Sequence, residues 1–175
     1  MPHFFTGFFL LLSFQFAYSQ SLSISVAPGF NYSFSGASAS LALQAEKNNH
    51  QLYLGYKQPI NSIPGGFMGK YGAIAGYRFF FKDSDVKFRP FFNLDYQFSL
   101  DRSYYLKGEK RQYNFIHQIN LGYGITYRVL PFLSVENSIG GGFFLQNLYS
   151  RIEQKHTGFI GYDGLIRLFL NFHIL

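Results

Sequence analysis

"FRPFFNLDYQFSLD", residues 88–101, alternates for its whole length. Phe88, Pro90, Phe92, Leu94, Tyr96, Phe98 and Leu100 fall on one side of an extended chain. Arg89, Phe91, Asn93, Asp95, Gln97, Ser99 and Asp101 fall on the other. A period of two held this long predicts a strand with one apolar and one mostly polar face. Alternation alone does not say which face points inward. A soluble barrel turns its aromatics in, whereas a barrel in a membrane turns them out.

The same alternation recurs along the chain. "SLSISVAPGFNYSF" (21–34) sets Leu22, Ile24, Val26, Phe30 and Tyr32 against Ser23, Ser25 and Asn31. Further runs begin near residues 37, 50, 70, 113 and 133, and a last one ends at the terminus, making eight predicted strands. The links after strands 2, 4 and 6 are short turns. Those after 3, 5 and 7 are longer: "PINSIPGGFMG", "RSYYLKGEKRQ" and "NLYSRIEQKHTGFIG". An up-and-down meander puts alternate links on opposite rims, so one rim is tight and the other carries loops, as in membrane barrels. Pro28 and Pro90 each lack a ladder donor, which predicts bulges or strand ends near them.

Volume decides the direction. Eight strands close into a barrel just wide enough for side chains to fill. About five large residues per strand on the apolar faces cannot all fit there, while Gly72, Gly76, Gly122, Gly124, Ser134, Ser138, Gly140 and Gly142 on the other face can. The aromatics therefore point outward, and lipid is the solvent that tolerates them. Composition agrees: 21% of residues are aromatic and 14% charged, with 23 Phe, 14 Tyr and 18 Gly. Ordinary soluble domains carry about 25% charged residues. The fold class expected is all-β, an eight-stranded antiparallel up-and-down transmembrane β-barrel.

Residues 1–19 contain no charged side chain, and the apolar run from Phe4 to Phe16 is short of the roughly 20 residues a spanning helix needs. Ala17-Tyr18-Ser19 has the small-x-small form of a signal-peptide cleavage site. The chain thus divides into a signal peptide, 1–19, and a barrel domain, 20–175, exported with a net charge of +6. Its basic character points to lipid phosphates rather than nucleic acid. There are no cysteines, which excludes disulfides and thiol chemistry.

These features together, with strands such as "YGAIAGYRFFF" and a last strand running to the terminus, resemble the small outer-membrane β-barrel family of Gram-negative bacteria, of which OmpA- and OmpX-type domains are members. The resemblance implies an outer-membrane location and a monomer. "YDGLIRLFLNFHIL" (162–175) looks like the segment read by the barrel-assembly machinery, although it ends in Ile174-Leu175 rather than an aromatic.

Arg78, Asp95, Glu136 and Arg167 lie away from strand ends on the polar face, so they should sit inside the barrel. Buried charges need partners, and a salt-bridge plug is the expectation; a narrow charge-selective pore is the alternative. The loops offer Arg102, Tyr104, Tyr105, Lys107, Lys110, Arg111, Arg151 and Lys155 for contact with lipopolysaccharide phosphates or an extracellular ligand. His117 lies on the apolar side below a long loop. Some eight-stranded outer-membrane enzymes that modify lipid A carry a histidine near the outer leaflet, but here Ile119 stands where the deacylase serine would, and Asn137 is not an acid. No catalytic residue, cofactor or metal site is expected.

Overall fold

The computed structural model describes residues 22–34, 36–60, 71–83, 86–102, 113–150 and 155–174. Eight strands follow in chain order: β1 (Leu22–Ser33), β2 (Gly36–Lys47), β3 (His50–Pro59), β4 (Tyr71–Phe80), β5 (Phe88–Arg102), β6 (Tyr113–Leu130), β7 (Leu133–Ser150) and β8 (Lys155–His173). Each pairs antiparallel with the next, and β1 pairs with β8 to close the barrel. Closure satisfies every strand edge, which is what lets such a sheet stand in a medium without water.

The opening stretch resolves as the volume argument requires. On β5, Arg89, Phe91, Asn93, Asp95, Gln97 and Ser99 are buried, while Phe88, Leu94 and Tyr96 are exposed. The same inversion holds around the wall. Tyr123, Ile160 and Tyr162 stand 67%, 70% and 84% exposed, yet Arg78, Asp95 and Glu136 are fully enclosed.

Tyr53, Phe80, Phe91, Phe144 and Phe169 lie inside, and all but Phe80 occupy the space a glycine leaves. A Cβ on Gly29 would stand 2.1 Å from Phe169, one on Gly76 2.2 Å from the Tyr53 hydroxyl, one on Gly124 2.2 Å from Phe91, and one on Gly161 2.5 Å from Phe144. Gly140 and Gly142 also face inward against the β6 backbone, whereas Gly141 faces out. The triple glycine is a packing device.

Two expectations change. Pro28 causes no bulge: the β1–β2 register runs unbroken through Pro28↔Leu41, and the ladder gap falls on the β8 side between Val26↔Phe172 and Gly29↔Phe169. Pro90 sits at a strand end, as expected: it is the third residue of β5 and lies past the last β4–β5 pair, Phe80↔Phe91. The register shift instead falls between Arg128 and Leu130. The link after β7 is also shorter than expected, because pairing continues up to Ser150↔Lys155; an extended hairpin keeps satisfying its own backbone groups.

Gly124→Ala should destabilise the folded barrel by about 1–3 kcal/mol, since the methyl must displace Phe91. Gly164→Ala, with open space around it, should change stability by less than about 0.5 kcal/mol. Urea midpoints of the two variants, compared with the parent, check this contrast.

Candidate functional site

The polar faces of all eight strands converge on one enclosed column of side chains. The end holding Leu22 and His173 is called lower here. Going up β5 from that end, Arg89, Asp95 and Gln97 each anchor a successive group.

At the bottom, Arg89 Nη2 lies 2.8 Å from Glu46 Oε1, and its guanidinium stacks 3.9 Å over the Phe80 ring. Above it, Arg78 Nη2 lies 2.6 Å from Glu136 Oε1, both side chains being fully buried. Arg78 also donates to Gln51, and Asn171 donates to the other Glu136 oxygen at 3.3 Å.

The middle layer is the most closely tied. Arg167 grips Asp95 with both terminal nitrogens, Nη2 reaching Oδ1 at 2.5 Å. Its Nε donates to Asn31 Oδ1 at 2.6 Å, and Nη1 also donates to the Tyr53 hydroxyl at 2.5 Å. That hydroxyl donates in turn to Asp95. Tyr53 serves both guanidiniums, with Arg78 4.4 Å and Arg167 5.2 Å from its ring centroid. A fork against a carboxylate plus ring stacking is arginine chemistry that lysine cannot reproduce.

The upper group replaces a direct ion pair with an amide relay. Lys57 Nζ donates to Gln97 at 2.8 Å and to Gln118 at 3.4 Å. Gln118 Nε2 then donates to Asp163 at 2.7 Å. Asn120 and the Phe34 backbone N–H, both at 2.8 Å, complete the Asp163 carboxylate. Over this layer Phe34 stacks on Phe144, ring centroids 3.7 Å apart.

The four lumen charges taken from sequence, Arg78, Asp95, Glu136 and Arg167, are thus brought together within one network. Sequence reasoning missed the parts that link them. Tyr53 lies on the inward face of β3, and Phe169 shares the inward face of β8 with Arg167; spacing could have found both. Of the loop candidates, Arg102 is the last residue of β5 and Lys155 the first of β8, so neither is a loop residue. Tyr104, Tyr105, Lys107, Lys110, Arg111 and Arg151 lie outside the described residues, as does the proposed leader, 1–19.

His117 faces outward, its Nδ1 2.8 Å from the Tyr96 hydroxyl and its ring 5.2 Å from Phe98. Its partners are thus a phenol and aromatic rings rather than a carboxylate. Ser134 Oγ lies 3.0 Å from His173 Nε2, and the serine is 1% exposed. No group of three metal-binding side chains occurs among the described residues. On the outer wall, Ala45 and Ala75 floor an apolar furrow of about 630 Å³ bordered by Leu54 and Tyr96.

No protein-family model matches the chain, and no curated protein resembles it. Its fold is found in solved outer-membrane barrels. The N-terminal β-barrel domain of Pseudomonas aeruginosa OprF superposes with a TM-score of 0.59 at 14% identity, covering 87% of this chain and 97% of that one. A major outer membrane protein from Thermus thermophilus gives 0.48 at 15%, covering 89% and 100%. Neisserial surface protein A gives 0.45 at 13%, covering 86% and 94%. The likeness to the OprF barrel shows the β-barrel fold; at this identity it carries nothing finer.

Asp95→Asn should cost about 3–5 kcal/mol, because it leaves Arg167 buried without its carboxylate. Replacing both partners by apolar residues, Asp95→Leu with Arg167→Met, should cost less than that single change. Equal or larger loss in the double variant, read from urea midpoints, would show that packing rather than charge pairing dominates the layer.

Proposed function

We propose that this chain is an outer-membrane protein of a Gram-negative bacterium, a filled and closed barrel that works through its outer rim. The reversed polarity of the wall is the observation that carries this reading: exposed Tyr123, Ile160 and Tyr162 need a lipid surround, and the enclosed charges need none. Residues 1–19 would be removed on export, and 162–175 would be presented to the barrel-assembly machinery. The lower rim, with tight turns at Asn48–Asn49 and Pro131–Phe132, would face the periplasm. The upper rim would carry the β3–β4 and β5–β6 links and the extended β7–β8 hairpin outside, where Arg102, Tyr104, Tyr105, Lys107, Lys110 and Arg111 meet lipopolysaccharide phosphates or an extracellular ligand. Arg151 and Lys155 would do the same from the β7–β8 hairpin.

The stacked ion-pair layers favour a structural or surface-interaction role over conduction. A narrow charge-selective pore would require ions to cross the Arg167–Asp95 layer, which is fully hydrogen-bonded and buried. An enzyme that modifies outer-leaflet lipid is disfavoured by the partners of His117.

In fractionated cells the protein should appear with the outer membrane and migrate differently on denaturing gels before and after boiling. Recovery as a soluble periplasmic protein with no heat-dependent shift would overturn the assignment. In planar bilayers the refolded barrel should give no steady conductance. Discrete conductance steps that change in Arg78→Gln or Asp95→Asn would make the lumen a pore instead.

A further inference from the structure

We propose that the lower mouth of the barrel binds a phosphate group from solution, held by Lys87 and Arg128 against the Thr126 hydroxyl. The mouth contains a small cavity of about 10 Å³, bordered by Lys87, Arg89, Thr126, Arg128, Ser134 and His173, with Glu46 as the one carboxylate among its described lining residues. Among the described residues, three cations therefore face one acid. That acid is already neutralised by Arg89 at 2.8 Å, and the Arg89 Nε is committed to the Lys82 carbonyl at 3.2 Å. The charge left over belongs to Lys87 and Arg128.

Neither of these two side chains has a hydrogen bond or an ion pair with the described residues. The Lys87 ammonium sits 5.0 Å from the Tyr127 ring centroid, a contact that leaves its charge intact. Backbone geometry holds the pair together, since the Arg128 N–H donates to the Lys87 carbonyl at 3.0 Å. Arg128 also stands at the register shift of β6, where a strand bends and re-aims its side chain. Asp83, on the β4–β5 connection, is exposed and borders no part of the cavity.

A second observation points the same way. Thr126 is directly paired with Arg89 across β5 and β6 and is 8% exposed, yet its hydroxyl has no hydrogen-bond partner among the described residues. A buried hydroxyl left without a hydrogen bond is costly. Here it lies at the wall of a cavity the size of one water-sized group. One oxygen of an oxyanion fits that space, leaving further oxygens for the guanidinium fork and the ammonium outside it. Three donor positions call for a group with at least three acceptor oxygens, which favours phosphate over a carboxylate or chloride. The cavity lies within the ring of strands, not on the lipid-facing wall, so a dissolved phosphate or phosphate ester is the occupant the geometry favours over a lipid headgroup.

The test uses the full mature barrel, refolded in zwitterionic detergent and titrated with inorganic phosphate while backbone amides are followed by NMR. Saturable shifts should centre on residues 86–89, 126–128 and 173. Arg128→Gln and Lys87→Gln should each weaken binding about ten-fold or more, while Lys47→Gln, on the outer face of the same rim, should not. Retention of the heat-dependent gel shift shows that each variant still folds. Absent saturation, an equal response to chloride at matched ionic strength, or unchanged affinity in Arg128→Gln would overturn the proposal. Repeating the titration in phosphatidylglycerol and phosphatidylcholine nanodiscs separates the sources. Equal affinity supports a soluble ligand, and marked weakening in phosphatidylglycerol alone would assign the mouth to a headgroup and overturn that assignment.

Discussion

The interior of an eight-stranded closed barrel is about one side chain deep, and most of this structure follows from that limit. Inward positions cannot all be large, so bulk on one strand must meet absence on another. Phe169 over Gly29, Tyr53 over Gly76, Phe91 over Gly124 and Phe144 over Gly161 are four solutions to the same problem. The glycines are spread over β1, β4, β6 and β8, and each serves a ring from a different strand. These four glycines are thus matched to aromatics that turn inward.

The same narrowness governs the charges. Water cannot surround an ion in a space already filled, so each guanidinium must be met by protein groups on several sides. Arg167 has Asp95, Asn31 and the Tyr53 hydroxyl, with aromatic faces of Tyr53 and Phe169 about 5 Å away. Arg78 reaches Glu136 from β7, Gln51 from β3 and the ring of Tyr53. These contacts tie strands that are not neighbours in the sheet: β3, β5 and β8 meet at Tyr53, Asp95 and Arg167. Cross-lumen ties of this kind fix the barrel's cross-section in a way the wall's own ladders do not.

The strand count, the strand order and the direction each face points were legible in the sequence because a period of two is unmistakable over ten or more residues, and because volume arguments need only side-chain sizes. That Arg78, Asp95, Glu136 and Arg167 turn inward followed from parity. Which acid each arginine meets did not. Pairing across a lumen depends on the shear of the barrel, and that depends on registers no local pattern encodes. Pro28 misleads for a similar reason: a missing donor disrupts only the neighbour it faces, and the sequence does not say whether that is β2 or β8. The β7–β8 link reads as a loop because its mixed residues break alternation, yet the ladder continues to Ser150↔Lys155. A hairpin that leaves the barrel no longer needs one greasy face.

That continuation separates the two ends of the molecule. At the upper end β7 and β8 extend the wall as a paired hairpin, while the Phe34–Phe144 stack and the Asp163 carboxylate close the lumen beneath it. The filled column beneath that hairpin separates the upper rim from the lower mouth. At the lower end the β2–β3 and β6–β7 turns are two residues long, and Lys87, Arg89 and Arg128 border the opening. A barrel whose centre is sealed by mutually satisfied charges has no reason to couple its two rims. Each can present its own chemistry to its own compartment, and a change at one rim should leave the other as it was.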